Sequence, residues 1–342
     1  MILLGATSAV AFIVSAALVW WARAHALRRN IVDVPNMRSS HAVPTPRGGG
    51  IAIVVTYVGS FAWLFWLREL DAKLVVALCT TGCAVAAVGY FDDRSQLSAR
   101  LRFSVHAGAA VAVVAALGSF PEPDMARWGM GNFWVAAAFS VLVLVWGTNL
   151  FNFMDGIDGI AASEAVFILT STSLLNAVSG GDYGLTTASL NLSAACVGFL
   201  LWNWPPARIF LGDVGSGFLG FTVTALVLVS CQRGHLPVEV LPILGGVFVV
   251  DATSTLVRRV LRGDRWFEAH RMHAYQHLAR RFSGHRPVTL LVWALNLFWL
   301  LPWAYVATSF PALARLCFAA ALLPLVIFAL LAGAGRREKQ SA

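Results

Sequence analysis

The chain is dominated by apolar stretches that are long enough to cross a lipid bilayer as helices. A membrane-spanning helix needs about 20 apolar residues, and about eleven such stretches follow one another here. They lie at 3–21, 48–67, 73–91, 101–119, 133–150, 160–178, 185–202, 217–232, 237–257, 288–308 and 311–333. Because 217–232 is short and the last two stretches nearly touch, about ten spans is the alternative count. The sequence predicts an all-α, polytopic helical bundle integral to a membrane.

The composition excludes several other classes of protein. Hydrophobic residues make up 58% of the 342 residues and charged residues 12%, whereas about 25% of an ordinary soluble domain is charged. Disordered, collagen-like and disulfide-scaffold chains are thereby excluded. The net charge of +8 would suggest nucleic acid in a soluble protein, but here it is explained by basic loops, so no nucleic-acid partner is predicted. We expect one transmembrane domain, 1–342, with its apolar start retained as the first span.

The basic residues lie mostly on one side of the predicted spans. Only Arg68, Lys73, Arg127, Arg233 and Arg315 lie in or beside the other set of loops. The remaining Lys and Arg residues lie in or beside the loops that we call the basic face: 22–47, 92–100, 151–159, 203–216, 258–287 and the short basic tail 334–342. By the positive-inside rule this face is cytoplasmic, so the N-terminus lies outside and the C-terminus inside.

Two segments of the basic face carry clustered acids and amides. Asp92 and Asp93 end the third predicted span, where they can hold Mg²⁺ or act as a base; the alternative is a solvated helix end. In 149–159, Asn149 and Asn152 are three residues apart, as are Asp155 and Asp158. At that spacing each pair can share a helix face and contact sugar, phosphate or metal. The alternative is an Asn/Asp/Gly turn between two spans.

A third segment, 203–217, combines Asn203 with a single acid, Asp213, between glycines and ahead of an apolar helix. Backbone N–H groups at such a helix start can receive phosphate, and Asp213 can hold the cation that neutralises it. No Gly-Lys-Ser/Thr follows, so the segment is not a P-loop. The alternative is a glycine-rich loop in which Asp213 caps the helix.

The first loop of the basic face contains prolines, Thr45 and three consecutive glycines at 48–50. Arg38, His41 and Arg47 are suited to phosphate oxygens, because arginine binds them in a bidentate fashion. The alternative is an ordinary positive-inside loop, which explains the arginines but not the glycines.

The last long loop, 258–287, is rich in Arg and His, among them His270, Arg271 and His273. It is interpreted as a lid on a nucleotide diphosphate, as a basic helix on anionic lipid, or, with His277, as a zinc site without a supporting acid or Cys pattern. Asp251 lies within the preceding span, where an acid is either functional or a structural hydrogen-bonding group.

Together these segments resemble the polyprenyl-phosphate N-acetylhexosamine-1-phosphate transferases, the WecA/MraY superfamily (glycosyltransferase family 4). The matching stretches are Pro44–Gly50, Phe91–Arg94, Asn149–Gly159, Asn203–Gly217 and Asp251–Arg262, in family order. The resemblance implies that sugar-1-phosphate passes from a cytoplasmic UDP-N-acetyl sugar to undecaprenyl phosphate. The products are a lipid diphosphate sugar and UMP, and the location is the bacterial inner (plasma) membrane, among membrane lipids.

The resemblance also implies roles for residues. Asp213 is the expected ligand of Mg²⁺ (Mn²⁺ is the alternative), with Asp92 and Asp93 at the metal. The expected catalytic residues are Asp92, Asp93, Asp155 and Asp158. The expected substrate contacts are Arg38, His41, Thr45, Arg47, Asn149, Asn152, Asn203, Asp251, His270, Arg271 and His273.

One motif of this chain differs from the pattern of the family and bears on which enzyme of the family it is. Much of the family has a His-x-His-His run where this chain has His273-Ala274-Tyr275-Gln276. This favours an enzyme that starts O-antigen or a similar polysaccharide, sometimes with a 6-deoxy sugar, over the peptidoglycan-precursor enzyme of the same superfamily.

A transporter or lipid flippase is the rival class, but it needs coupling acids at mid-membrane. A homodimer is an open alternative to a monomer.

Overall fold

The computed structural model describes residues 2–29, 31–35, 43–264 and 271–337. Arg38, His41 and His270 lie outside the described residues, as do 338–342 of the tail. Two short strands, β1 (Val32–Asp33) and β2 (Thr45–Pro46), pair antiparallel with Val32 opposite Pro46. The helices are α1 (Ile2–Arg28), α2 (Gly50–Trp66), α3 (Ala72–Ser95), α4 (Ala99–Leu117), α5 (Glu122–Ala126), α6 (Phe133–Met154), α7 (Ile160–Val178), α8 (Tyr183–Asn203), α9 (Asp213–Gln232), α10 (Val240–Leu244), α11 (Gly246–Leu261), α12 (Ala274–Arg281), α13 (His285–Leu295), α14 (Leu301–Ser309) and α15 (Ala314–Ala332).

The prediction of a polytopic membrane helical bundle is confirmed. Within the described ranges, 9 helices are long and apolar enough to cross a membrane, with α13 and α14 joined into one span through a π-helical turn, Asn296–Leu300. The other two predicted spans correspond to α2, which is apolar but has 17 residues, and to α10 with α11, which are separated by a break at Gly245. The chain is therefore a multi-pass membrane protein.

The centre of the bundle is α9, which is buried from Val214 to Cys231 and packs against α2, α3, α6 and α7. Glycines bring the helices into close contact there. A Cβ atom at Gly50 would lie 2.3 Å from the Cα atom of Gly215, and one at Gly220 would lie 2.3 Å from the carbonyl oxygen of Gly147. Small residues at such crossings let backbones approach closely, so these glycines set the position of α9 against α2 and α6.

Acids at the face opposite the basic face serve as helix caps. Asp71 accepts a hydrogen bond from the Leu74 N–H at 2.8 Å to start α3, and Asp182 accepts one from Leu185 at 3.1 Å to start α8. Arg233 pairs with both carboxylates and so joins the two helix starts to the end of α9. These acids satisfy backbone donors that a helix start leaves unpaired.

Several span edges differ from the predicted ones, and two of these differences lie at the acid-rich helix ends. Helix α9 begins at Asp213 rather than at residue 217, and α6 continues to Met154 rather than ending at residue 150. Polar residues close both ends, so hydropathy alone makes both helices too short. As a result Asn149 and Asn152 lie on the last turns of α6, and Asp213 lies in the first turn of α9.

The structure also contains a buried acid that the sequence analysis did not single out. Glu164 on α7 is fully buried, and the Asn296 amide at the π-helical turn donates to its Oε2 at 2.6 Å. The second oxygens, Glu164 Oε1 and Asn296 Oδ1, have no hydrogen-bond partner within the described residues. Burying a charged carboxylate with an unpartnered oxygen is costly, so this environment is consistent with a neutral carboxyl group.

Candidate active site

Four helix ends meet on the basic face around the side chain of Arg47. Arg47 precedes α2, and its Nε lies 2.8 Å from Asp93 Oδ1 at the end of α3, while its Nη2 lies 3.0 Å from Asp213 Oδ1 at the start of α9. Burial by itself lowers the pKa of the Arg47 guanidinium, but the Asp213 and Asp93 charges more than offset it, so that pKa is raised above its ordinary value. One cation thus links two carboxylates from distant parts of the chain.

The Asp93 carboxylate also caps α9. Its Oδ1 accepts the Asp213 N–H at 2.9 Å and its Oδ2 accepts the Val214 N–H at 3.2 Å. Carboxylates are stabilised at a helix N-terminus by unpaired N–H groups and the helix dipole. Gly212 has a φ of +76°, and a Cβ atom there would lie 2.6 Å from Asp93 Oδ2, so the turn before α9 needs glycine.

Asp213 is fixed from a second side by α6. The Asn152 amide donates to Asp213 Oδ1 at 3.1 Å and to Ser216 Oγ at 3.2 Å. Asn149, one turn earlier, donates instead to the Val145 carbonyl of its own helix at 2.7 Å. Of the two predicted amides, Asn152 therefore reaches the acid cluster and Asn149 is bonded to the α6 backbone.

Asp92 and Asp93 are adjacent in sequence but have different partners. Asp92 is buried, accepts the Leu97 N–H at 2.6 Å and pairs with Arg102 Nη1 of α4 at 2.6 Å. It still lies close enough to Asp213 for the two carboxyl groups to interact. Asp92 thus ties the α3–α4 turn to the edge of the cluster, whereas Asp93 lies inside it.

Asp155 follows the last residue of α6 and completes the cluster. Burial raises the pKa of its carboxyl group to about 7, and the negative charges of Asp213 and Asp93 act in the same direction against the Arg47 cation. Among the described residues no side-chain or backbone group donates a hydrogen bond to this carboxylate. Asp155 is therefore an acid with a perturbed pKa and unused acceptor capacity, as expected of a functional group.

Two further polar residues, Asp158 and Asn203, hydrogen-bond neighbouring loops of the basic face to one another. Asp158 Oδ2 accepts the Ala207 N–H at 3.0 Å and lies 3.2 Å from His285 Nδ1 at the start of α13. Asn203 accepts the Gly159 N–H and donates to the Ile209 carbonyl, both at 2.9 Å. These bonds hold the α6–α7 turn against the segment between α8 and α9. His285 was not singled out from the sequence, where no spacing relates it to Asp158.

An open cavity of about 500 Å³ lies beside these loops. Thr45, Asp158, Phe210 and His285 are among its lining residues. The Thr45 hydroxyl donates to the Val43 carbonyl at 2.9 Å and is buried. The cavity is therefore walled by segments from four different parts of the basic face.

The predicted residues of the last loop form a separate group. Asp251 on α11 accepts hydrogen bonds from the N–H groups of Ala274 and Tyr275, at 2.8 and 3.0 Å. Its carboxylate thus binds the first two N–H groups of α12. His273 Nδ1 lies 3.4 Å from Asp251 Oδ1, and Arg271 lies just before it in the chain. In this arrangement Asp251 is buried as the hydrogen-bonding partner of α12.

The chemistry of the donors in the cluster fits a hard divalent cation, because Asp92, Asp93, Asp155 and Asp213 offer carboxylate oxygens. Within the described residues no group of three His, Cys, Asp or Glu side chains is already arranged as a metal site. Arg47 takes one oxygen each from Asp93 and Asp213. The cluster thus has suitable ligands, and the Arg47 guanidinium offsets part of their negative charge.

Comparison with known proteins places the chain in a family. Residues 75–231 match the model of glycosyl transferase family 4. A probable undecaprenyl-phosphate N-acetylglucosaminyl 1-phosphate transferase of Bacillus subtilis is 31% identical over 277 residues, covering 79% of this chain and 76% of that relative. The chain belongs to glycosyltransferase family 4, the WecA/MraY superfamily.

Other relatives span two branches of this family. A phospho-N-acetylmuramoyl-pentapeptide-transferase of Moorella thermoacetica is 32% identical over 77% of this chain and 85% of its own. A decaprenyl-phosphate N-acetylglucosaminephosphotransferase of Mycobacterium tuberculosis is 29% identical over 78% of this chain and 74% of its own. The family segment 75–231 includes Asp93, Asp155 and Asp213, whereas Arg47 and α12 lie outside it.

Proposed function

We propose that this membrane-embedded family member transfers N-acetylhexosamine-1-phosphate from a UDP-sugar to undecaprenyl phosphate. The products are a lipid diphosphate sugar and UMP, formed at the cytoplasmic surface of the bacterial inner membrane. The observation that carries the proposal is the convergence of Arg47, Asp93, Asp155 and Asp213 at helix ends of one face in a family 4 chain. That face also carries most of the basic residues, which supports a cytoplasmic site.

Charge is the main obstacle to this reaction, because a diphosphate and a lipid phosphate must meet. Two unit charges 4 Å apart repel by about 4 kcal/mol at an effective dielectric constant of 20. We propose Asp213 as the main ligand of Mg²⁺, with Asp92, Asp93 and Asp155 beside it. When bound, the ion neutralises phosphate charge and polarises the phosphorus under attack.

The protein's own groups supply orientation. Arg47 presents a planar guanidinium, the geometry that binds phosphate oxygens in pairs, and Asn152 keeps Asp213 in place. The 500 Å³ cavity beside Thr45, Asp158 and Phe210 is open and is lined by loops of the same face, so we propose it as the site of the UDP-sugar. We propose Asp155, whose carboxylate receives no hydrogen bond among the described residues and whose pKa is raised to about 7, as the base that accepts a proton from the lipid phosphate.

The lipid phosphate attacks directly in this proposal, without a covalent enzyme intermediate. The oxygen of the lipid phosphate forms a bond to the sugar-linked phosphorus, the bond to the UMP oxygen breaks, and UMP leaves with that electron pair. Rapid quenching of a single turnover should therefore trap no phosphorylated protein. A stoichiometric phospho-aspartate would replace this step by a two-step mechanism.

The test of the function is UMP release by purified protein, given undecaprenyl phosphate and a panel of UDP-N-acetyl sugars with Mg²⁺. Asp213→Asn should abolish release, whereas the control Asp264→Asn should not, because Asp264 is paired with Arg262 and Arg337 away from the cluster. Release that needs no lipid phosphate contradicts the proposal and indicates hydrolysis of the donor. Transport without release also contradicts it and favours the flippase alternative.

The same panel addresses the polymer. We propose that the chain starts O-antigen or a related envelope polysaccharide, since only the first His of the family run is kept, at His273. Activity with UDP-N-acetyl sugars, including 6-deoxy sugars, supports this role. Activity confined to UDP-N-acetylmuramoyl-pentapeptide supports the peptidoglycan-precursor alternative instead.

A further inference from the structure

Tyr275 joins the last loop of the basic face to the acid cluster. It lies in the first turn of α12 and is 3% exposed. Its hydroxyl donates a hydrogen bond to the Phe153 carbonyl, in the last turn of α6, at 3.2 Å. The last carbonyls of a helix have no partner within the helix, so Tyr275 satisfies one of them two residues before Asp155.

The same hydroxyl touches the chain on the other side of Asp155. A Cβ atom at Gly156 would lie 2.0 Å from the Tyr275 hydroxyl oxygen and 3.0 Å from the ring carbon that carries it. The Tyr275 side chain therefore rests directly on the Gly156 backbone, where a residue larger than glycine does not fit. One tyrosine thus contacts the backbone on both sides of Asp155, at Phe153 and at Gly156.

Tyr275 is itself fixed by α11. Asp251 Oδ1 accepts the Ala274 N–H at 2.8 Å, and Asp251 Oδ2 accepts the Tyr275 N–H at 3.0 Å. Thr255, one turn along α11, donates to Asp251 Oδ1 at 3.2 Å and keeps that carboxylate in position. A continuous chain of contacts therefore leads from α11 through α12 to the end of α6.

We infer that Tyr275 is a positioning residue that sets the Asp155 carboxylate in the acid cluster, and that Asp251 acts through Tyr275. This inference rests on the proposed transferase function and gives Asp251 a role without substrate contact. Asp155 itself lacks a hydrogen-bond partner among the residues described, so its place depends on the backbone on either side of it. Neither Tyr275 nor Asp251 contacts a reacting atom in this account.

The test separates kcat from KM in the UMP-release assay. A hydrogen bond is worth about 0.5–1.5 kcal/mol, which corresponds to a loss of about 2- to 12-fold in rate. Tyr275→Phe should lower kcat by about that factor and leave the KM values for both substrates within about twofold. Gly156→Ala should lower kcat in the same way. The control Tyr305→Phe, at an exposed position on α14, should change neither parameter.

A double-mutant comparison tests the link to Asp251. Asp251→Asn should lower kcat, and the Asp251→Asn/Tyr275→Phe double variant should lose little more than the worse single variant, because coupled residues are not additive. A Tyr275→Phe protein with wild-type kcat overturns the inference. So does one whose KM alone rises, since that indicates substrate contact, or one whose kcat falls only in proportion to the folded fraction seen by gel filtration. An inactive wild-type protein refutes the proposed function instead.

Discussion

Replacing Arg47 by Met removes the cation that links Asp93 and Asp213. The two contacts, at 2.8 and 3.0 Å, are charge-assisted, and each such bond contributes about 1.5–3 kcal/mol when shielded from water. Arg47 is 35% exposed, Asp93 6% and Asp213 24%. Because Arg47 is partly exposed, we take the low end, about 1.5 kcal/mol, for each of the two bonds, so the free energy of unfolding should fall by about 3 kcal/mol when divalent ions are absent.

The loss should be reversed largely by Mg²⁺ in the variant, since two uncompensated carboxylates then face the vacated position. A ligand at 100 times its Kd stabilises the folded state by about 2.7 kcal/mol, close to the expected loss. The assay is denaturant unfolding of the detergent-solubilised protein in EDTA and in Mg²⁺. Wild type should gain less from Mg²⁺, because Arg47 already offsets part of the charge of Asp93 and Asp213.

The control is Arg94→Met. Arg94 is exposed and its guanidinium lies 3.6 Å from the centre of the Tyr90 ring, a contact worth about 0.5–1 kcal/mol at an exposed site. We expect a loss of that size and no added response to Mg²⁺. An Arg47→Met protein as stable as wild type in EDTA, or an equal gain from Mg²⁺ in both proteins, would refute the assigned charge balance.

Three further predictions concern pH, metal and the buried acid. The pKa of Asp155 is raised to about 7, so at limiting Mg²⁺ the rate of UMP release should fall as the pH drops through about 7. Added Mg²⁺ should move that midpoint to lower pH, because the cation favours the charged carboxylate. An Asp155→Asn protein with the same pH midpoint contradicts this assignment. EDTA should abolish UMP release and Mg²⁺ or Mn²⁺ should restore it, which a spectrophotometric UMP assay checks; full activity in EDTA contradicts the metal role. Glu164→Gln should leave the unfolding midpoint nearly unchanged, because the glutamine amide can both accept from and donate to Asn296. Glu164→Leu leaves the buried Asn296 amide unpaired and should cost about 1–3 kcal/mol in the free energy of unfolding. Equal effects of the two substitutions contradict a neutral Glu164.

The bundle could be predicted from the sequence because a membrane-spanning helix is marked by local hydropathy. The edges could not, since they depend on partners distant in sequence. Helix α9 starts at Asp213 because Asp93, 120 residues earlier, accepts its first N–H groups. The break between α10 and α11 at Gly245 likewise falls inside a run whose average hydropathy predicts a single span.

The residue types of the site could be predicted from the sequence, but the contacts between them could not. Acids, amides and glycines at span ends pointed to Asp93, Asp155 and Asp213, which the structure brings together. Adjacent acids on a helix point about 100° apart, so the sequence could not show that Asp92 pairs with Arg102 while Asp93 caps α9. The roles of these residues in catalysis and metal binding stay predictions.

The central claim is that phosphorus travels with the sugar to the lipid. A donor labelled with ³²P at the β-phosphate, incubated with purified protein, undecaprenyl phosphate and Mg²⁺, tests it most directly. We expect the label to pass into the organic phase as a lipid diphosphate sugar, at a rate equal to UMP formation, and to stay in water with Asp213→Asn. Label that remains on a water-soluble nucleotide while sugar enters the lipid would contradict the account.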